Sequence, residues 1–103
     1  MNSSISIVML TYNNFEKFVR CMSTLTLFIS DERIKEIIIL DNGSHQPELK
    51  KFLGSTDEQI KKFRVIFSDV NLGIAKGRKL LYDIAEGDYI ISIDSDVVFV
   101  NPP

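Results

Sequence analysis

The sequence is poor in the residues that mark several classes of protein. It has one cysteine, one histidine and no tryptophan among 103 residues. A single cysteine, Cys21, excludes an internal disulfide, and no Cys/His cluster suggests zinc; its place on a helical face predicts a buried, unreactive thiol. No apolar run reaches the ~18 residues needed to cross a bilayer. The first residues lack the basic region and cleavage site of a signal peptide, so a cytoplasmic location is the default expectation.

The sequence also lacks an excess of charge of either sign. Its formal net charge of -2 gives no electrostatic attraction to nucleic acid or to an anionic membrane. An anionic ligand would therefore need local neutralisation by a metal ion, an arginine or a helix N-terminus. The hydrophobic content of 45% is typical of a folded soluble domain and excludes a disordered chain. The length predicts one small domain.

Short apolar runs and helical patterns alternate along the chain. The runs are rich in β-branched residues, which is typical of strands in a sheet that is covered on both faces. The predicted strands are Ser4–Leu10, Ile34–Leu40, Phe63–Phe67 and Asp88–Ile93.

Three helices are predicted between these strands. The first has apolar residues at helical spacing from Phe15 onward, and Asn13 with Glu16 predicts a capping box at its start. The second begins at Pro47 and is expected to stop at Gly54, while the polar stretch from Ser55 to Lys62 fits either a helix or a loop. The third runs from about Gly73 to Ala85.

The βαβαβαβ order predicts an α/β fold with a mostly parallel sheet and right-handed crossovers. The expected strand order is 3-2-1-4, the first half of a doubly wound, Rossmann-like fold. Its switch point lies between strands one and four, where ligands bind outside the carboxyl ends of the strands. The polar segments expected to line that crevice are Thr11–Asn13, Asp41–Ser44 and Asp94–Asp96.

Asp94 and Asp96 follow the apolar fourth strand at a spacing of two. On an extended backbone such carboxylates point to the same side, about 7 Å apart. A pair of this kind can hold a hard divalent cation that keeps positions for substrate phosphates. The sequence therefore predicts a metal and nucleotide site at this edge of the sheet.

Four segments together resemble the nucleotide-binding half of the family 2 glycosyltransferases, which have the GT-A fold. The resemblance runs from about Ile5 to Pro103. The segments are Val8–Asn13, Ile37–Ser44, Asn71–Arg78 and Tyr89–Asp96.

The resemblance implies a role for each matching residue. Thr11, Tyr12 and Asn13 would lie beside the base and ribose of a sugar nucleotide, and Asp41 would accept a hydrogen bond from the base. A turn role for Asp41 remains open, because Asp-Asn-Gly is strong turn chemistry. Asn71, Gly73, Arg78 and Ser95 complete the expected nucleotide contacts. Asp96 would bind Mn²⁺ or Mg²⁺, with Asp94 at the ribose or reaching the metal through water.

The implied activity is that of an inverting hexosyltransferase, which moves a sugar from a nucleotide-diphosphate donor, expected to be a UDP-sugar, to an acceptor hydroxyl. The family's general base lies downstream of the Asp-x-Asp motif, so residues 1–103 are expected to form a donor-binding domain without catalytic residues. Such a chain should be inactive alone. The acceptor, a glycan, lipid or polysaccharide, is not specified. The full-length protein could lie at the inner face of the membrane.

Two other functions remain open at this point. The strand that ends in Asp94 and Asp96 also fits the haloacid-dehalogenase phosphatases, in which these residues would be nucleophile and acid/base, although that family carries its motif on the first strand. A nucleotide-binding module without catalysis is the other alternative.

The apolar edge Tyr89–Ile93 has no proline and predicts pairing with a second copy of the chain.

Overall fold

The computed structural model describes residues 3–95, in which four strands alternate with three helices. The elements are β1 (Ile5–Thr11), α1 (Phe15–Leu25), β2 (Ile34–Asn42), α2 (Pro47–Gln59), β3 (Phe63–Ser68), α3 (Ile74–Ile84) and β4 (Tyr89–Asp94), with a short 3-10 turn at Thr26–Phe28. No helix within these residues has the length and apolar character that crossing a membrane requires.

All the strand pairs are parallel, and the strand order is β3-β2-β1-β4. This confirms the predicted order and places β1 between β2 and β4. In the register of the sheet, Thr11 pairs with Asp41 and Leu10 pairs with Asp94. The carboxyl ends of β1, β2 and β4 therefore meet at one edge, as the switch-point argument requires.

The core has two parts, one on each face of the sheet. On the first face α1 and α2 cover alternate residues of the central strands, and the fully buried residues include Met9, Phe18 and Ile39. On the opposite face α3 packs its buried Leu81 against Val8. Because both central strands are buried on both sides, their sequences are nearly continuous apolar runs. Cys21 is buried in the first part of the core, as predicted.

The predicted capping box at the start of α1 is wrong. The N-cap residue is Asn14, in the left-handed conformation, and its side chain makes no capping hydrogen bond. Asn13 is also left-handed, and its Oδ1 accepts from the backbone N–H of His45 instead. The first N–H of the helix, that of Phe15, donates to Oε1 of Gln46 at 3.0 Å. The cap of α1 thus comes from Gln46 in a neighbouring loop, and not from the residues at the start of the helix.

The predicted stop of α2 at Gly54 is also wrong. The helix begins at Pro47, as expected, but continues through Gly54 to Gln59. The apolar face explains the continuation, because Leu49 and Leu53 are fully buried and Thr56 follows on the same face, 8% exposed. Burial of this face offsets the cost of about 1 kcal/mol for a glycine in a helix. The polar stretch that fitted either helix or loop is therefore helical in its first half.

β4 is far more exposed than the other strands. Tyr89, Ile90 and Ile91 are 63%, 40% and 46% exposed. Within residues 3–95 this strand pairs with β1 along one side and with no strand along the other. The expectation of a sheet covered on both faces thus holds for the central strands and fails at this edge.

Candidate functional site

A cleft of about 460 Å³ opens at the carboxyl ends of β1, β2 and β4, beside the beginning of α3. Its position is the crevice between β1 and β4 that the strand order predicted. The lining residues come from every one of these elements and from the loop before α3. They are Leu10, Thr11, Tyr12, Asn14, Asn42, Asn71, Gly73, Ile74, Arg78, Asp94 and Ser95.

Thr11, one of the lining residues of this cleft, carries an unpaired hydroxyl. The residue is 1% exposed, and its Oγ1 has no hydrogen-bond partner among the described residues. A buried polar atom without a partner costs on the order of 1–3 kcal/mol, and native structures have few of them. An orphaned hydroxyl at the end of a central strand therefore suits a ligand that supplies the missing hydrogen bond.

Arg78 and Asp94 lie next to each other in the lining of the cleft. The guanidinium nitrogen Nη2 lies 3.4 Å from Oδ1 of Asp94, and the two side chains are 44% and 71% exposed. A pair this long and this exposed contributes little stability, about 1 kcal/mol at most. Both groups are therefore available to a ligand: Arg78 offers a planar set of donors suited to phosphate oxygens, and Asp94 offers carboxylate oxygens.

Helix α3 approaches the sheet closely at Gly77. A Cβ atom on this residue would lie 2.7 Å from Cδ1 of Leu10, which is shorter than real side-chain contacts allow without a shift. The glycine inside the helix thus permits this close packing. This packing brings Arg78, the next residue, to the cleft.

The loops after β1 and β2 are tied to each other beside the cleft. The hydroxyl of Ser44 accepts from the backbone N–H of Asn13 at 2.7 Å, and Oδ1 of Asn13 accepts from the N–H of His45 at 2.9 Å. Asp41 is 1% exposed, and its Oδ1 accepts from the N–H of Ser44 at 3.2 Å. The turn role that the sequence left open for Asp41 is therefore present in the structure.

Most of the predicted nucleotide-binding residues line the cleft, namely Thr11, Tyr12, Asn71, Gly73, Arg78, Asp94 and Ser95. Asn13 and Asp41 do not line it; they hold the neighbouring loops, and their nucleotide contacts stay a prediction. Asn42 also lines the cleft and lies in the predicted segment Asp41–Ser44, whereas sequence reasoning missed Leu10, Asn14 and Ile74. Asn14 and Ile74 each adjoin a predicted site residue, and Leu10 precedes Thr11, so adjacency was the signal that could have found them.

A model of the family described as glycosyl transferase family 2 matches residues 6–101. The chain belongs to glycosyl transferase family 2. The match confirms the resemblance that four short segments indicated, and it favours a glycosyltransferase over the phosphatase alternative. It also explains why the polar residues collect after β1, β2 and β4 of a GT-A fold.

In similar proteins the region that matches this chain is part of a longer chain. An uncharacterized glycosyltransferase of Methanocaldococcus jannaschii is 28% identical over 92 residues, which are 89% of this chain and 31% of that protein. Human procollagen-lysine,2-oxoglutarate 5-dioxygenase 2 is 30% identical over 82 residues, 76% of this chain and 11% of its own length. The chain spans between about a tenth and a half of the length of the curated relatives it matches.

The solved structure of a mannosyltransferase from Pyrobaculum calidifontis, in complex with GDP-Man and Mn²⁺, has the same fold. Its TM-score is 0.75 at 14% identity, and the likeness covers 96% of this chain and 29% of that one. At 14% identity, this similarity shows that the two chains share a fold and says nothing further about this one.

The donor set of the cleft fits a metal ion that is shared with a substrate. Asp94 presents an exposed carboxylate at the end of β4, while Asp96, the other predicted ligand, lies outside the described residues. Residues 3–95 contain no group of three or more His, Cys, Asp or Glu side chains that could hold an ion by themselves. Mg²⁺ sites in phosphate-transferring enzymes typically use one or two carboxylates plus substrate phosphates. The chemistry present matches that arrangement.

Proposed function

We propose that the cleft binds the nucleotide part of a nucleotide-diphosphate sugar, expected to be a UDP-sugar, and that the chain is the donor-binding part of an inverting hexosyltransferase. Membership of glycosyl transferase family 2 supports a transferase. The mannosyltransferase of the same fold carries GDP-Man, which supports a nucleotide sugar as donor. The single observation that carries the proposal is the buried, unpaired Oγ1 of Thr11, a residue that lines the cleft.

The proposal assigns Thr11 and Tyr12 to the nucleoside. The hydroxyl of Thr11 can donate or accept, so it can pair with a ribose hydroxyl or with a polar edge of the base. Tyr12 is 42% exposed, and its ring meets that of His45 edge to face with centroids 6.4 Å apart. A half-exposed aromatic ring at the cleft suits contact with a flat base.

The proposal assigns Arg78 and the beginning of α3 to the diphosphate. The backbone N–H groups at a helix N-terminus and a nearby guanidinium both favour a negatively charged group. Because the exposed pairing of Arg78 with Asp94 is weak, little free energy is lost when Arg78 turns to a phosphate.

Asp94 and Asp96 would hold Mn²⁺ or Mg²⁺ against the diphosphate. When bound, such an ion neutralises charge on the departing nucleoside diphosphate. Mn²⁺ in the mannosyltransferase complex supports this assignment. Asp94 places one exposed carboxylate at the same edge of the sheet as Arg78. Without a ligand the two side chains pair with each other.

The transfer itself needs a group that takes the proton of the acceptor hydroxyl. Among the described residues that line the cleft, Asp94 is the sole carboxylate, and it is assigned to the donor. We therefore propose that the general base and the acceptor site come from residues beyond those described. The acceptor would be a hydroxyl of a glycan, lipid or polysaccharide. A cytoplasmic location, and a second copy of the chain paired along β4, are also parts of this proposal.

Isothermal titration calorimetry with UDP and GDP, each with and without MnCl₂, tests the proposal. We expect weak binding of UDP that strengthens with Mn²⁺ and a smaller effect of GDP. Asp96→Ala should remove the Mn²⁺ dependence. Thr11→Val should weaken binding roughly threefold to tenfold, the value of one neutral hydrogen bond.

Thr56→Val is the matched control for Thr11→Val. Thr56 is also buried, but its hydroxyl donates to the carbonyl of Phe52 within α2, away from the cleft. This variant should bind UDP as the parent does. Absence of binding to either nucleotide at millimolar concentration would refute the proposal, and Mn²⁺-dependent binding that Asp96→Ala leaves unchanged would remove Asp96 from the metal site.

A further inference from the structure

Asn42, the last residue of β2, holds the loop that precedes α3. Asn42 is 2% exposed, so the polar atoms of its side chain need hydrogen-bond partners within the protein. Oδ1 accepts from the backbone N–H of Leu72 at 2.8 Å, and Nδ2 donates to Oδ1 of Asn71 at 3.1 Å and to the carbonyl of Gly73 at 3.4 Å. One buried carboxamide thus binds three consecutive residues of the loop.

The orientation of this carboxamide is fixed by the backbone groups around it. The N–H of Leu72 can only donate, and the carbonyl of Gly73 can only accept. A rotation that exchanged Oδ1 and Nδ2 of Asn42 would oppose donor to donor and acceptor to acceptor. An asparagine therefore satisfies this place, whereas an aspartate of the same shape presents an acceptor to the carbonyl of Gly73.

Asn42 also determines which atom of Asn71 is left for a ligand. Oδ1 of Asn71 accepts from Nδ2 of Asn42 and from the N–H of Gly73, the latter at 2.8 Å. Both contacts need an oxygen at that place, so the amide nitrogen of Asn71 points elsewhere. No described residue accepts from this Nδ2, and Asn71 lines the cleft.

The neighbour of Asn42 holds the same loop by close contact. Gly43 has a φ of +82°, and a Cβ atom there would lie 2.6 Å from the backbone N of Asn71 and 2.7 Å from the carbonyl carbon of Val70. The loop backbone therefore rests directly on Gly43. Two adjacent residues at the end of β2 thus fix the loop, one by hydrogen bonds and one by leaving space.

We propose that Asn42 is a positioning residue of the nucleotide site: it orders the loop from Val70 to Gly73 and turns the amide nitrogen of Asn71 toward the bound donor. This inference rests on the proposed function for its ligand. It adds that the affinity for the nucleotide depends on a side chain that acts through the loop.

Amide hydrogen exchange of the ligand-free chain tests the first half of the proposal. Asn42→Asp keeps the oxygen that accepts from Leu72, but it sets a second oxygen against two acceptors, Oδ1 of Asn71 and the carbonyl of Gly73. This repulsion should loosen the loop, so the protection of the Leu72 and Gly73 amides should fall at least tenfold, while the amides of the central strands keep theirs. In Asn71→Asp both of these amides should stay protected, since the acceptor Oδ1 is retained and only the Nδ2 donor is lost. Unchanged protection in Asn42→Asp would overturn the proposal whether or not a nucleotide binds.

Calorimetry with UDP and MnCl₂ tests the second half. Both variants should lose affinity roughly threefold to tenfold. Asn14→Asp is the charge control, because Asn14 lines the same cleft and its side chain makes no capping hydrogen bond. The losses in the two test variants should exceed any loss in Asn14→Asp.

Two results separate this inference from the proposed function. If the parent chain binds UDP and Asn42→Asp binds equally well, the positioning role fails and the proposed function stands. If the parent binds no nucleotide, both fail together. Should Asn42→Asp not fold, Asn71→Asp decides: a loss of affinity beyond that of Asn14→Asp, with the loop still protected, supports the proposal, and unchanged affinity overturns it.

Discussion

Replacing Thr11 by valine should make the chain more stable while it weakens nucleotide binding. The two side chains have nearly the same shape, so the change removes one hydroxyl and leaves the packing in place. In most buried positions that loss is destabilising, because a hydrogen bond disappears. At Thr11 no hydrogen bond within residues 3–95 is lost, since Oγ1 has no partner there.

The size of the effect follows from the burial of this atom. Thr11 is 1% exposed, and an unsatisfied buried hydroxyl costs about 1–3 kcal/mol. Valine removes that cost and adds apolar contact, so the free energy of unfolding should rise by about 1 kcal/mol or more. For a domain of this size, each 1 kcal/mol raises the melting temperature by about 4–8 °C.

Ser6→Ala is the comparison on the same strand. Ser6 is fully buried like Thr11, but its hydroxyl donates to Oε2 of Glu36 at 2.6 Å and accepts from the N–H of Gly87 at 2.8 Å. Its removal leaves a carboxylate oxygen and a backbone N–H with fewer partners, so this variant should lose about 1–3 kcal/mol. The two substitutions delete the same group and should have opposite signs.

Thermal unfolding without nucleotide measures both variants. A melting temperature of Thr11→Val below that of the parent would refute the reasoning, because it would mean that Oγ1 makes a stabilising contact in the ligand-free chain. Unchanged UDP affinity in Thr11→Val would separate the buried hydroxyl from the ligand and remove the main support of the proposed function.

Three further predictions concern the backbone, a surface ion pair and the exposed edge. Gly43→Ala should lose more than about 1 kcal/mol of stability in chemical unfolding, because the site has a positive φ and no space for a Cβ atom, whereas Gly54→Ala, with open space inside α2, should gain about 0.5–1 kcal/mol. The hydrogen bonds that Arg33 donates lower the pKa of Asp31 from 3.8 to about 2. Because the folded pKa lies below the unfolded one, this contact stabilises the fold above about pH 4 and ceases to do so as the pH falls to 2. The difference in stability between the parent and Asp31→Asn should therefore vanish over that interval. The 103-residue chain should self-associate through the exposed edge of β4, which light scattering across a concentration series would detect. Ile91→Lys should reduce this association, and a parent chain that stays monomeric at high concentration would contradict the prediction.

The sheet could be predicted from the sequence because its signals are local and repeated. Each strand is an apolar run that contains β-branched residues, and a helical pattern follows each of the first three. Parallel strands joined by right-handed crossovers allow few orders. The start of α1 was predicted wrongly because its cap is not local: Gln46, 31 residues further along the chain, accepts from Phe15. The continuation of α2 past Gly54 has the same cause, since the burial of Leu53 and Thr56 decides it.

The candidate site could be located from the sequence, but its residues could not be sorted by role. Polar residues at the ends of neighbouring parallel strands must meet, whatever each of them does. Asp41 shows the limit of this reasoning. Both a turn and a base contact suit its carboxylate, and the structure shows the hydrogen bond of the turn. Whether its other oxygen also contacts a base depends on a ligand and not on the fold.

The asparagines of the site show what separates the residues that build the cleft from those that are left for a ligand. Asn13 and Asn42 use their side chains to bind backbone groups of neighbouring loops. Asn71 uses its oxygen in the same way but keeps its amide nitrogen without a described partner. The same distinction sets Thr11 apart from Ser6. The polar group is the same within each comparison, a carboxamide in the asparagines and a hydroxyl in Thr11 and Ser6, so the difference lies in which atoms the fold leaves unpaired. The buried Oγ1 of Thr11 costs stability in the ligand-free chain, whereas Nδ2 of the exposed Asn71 is open to water. We expect a ligand that pairs either atom to gain affinity by that contact.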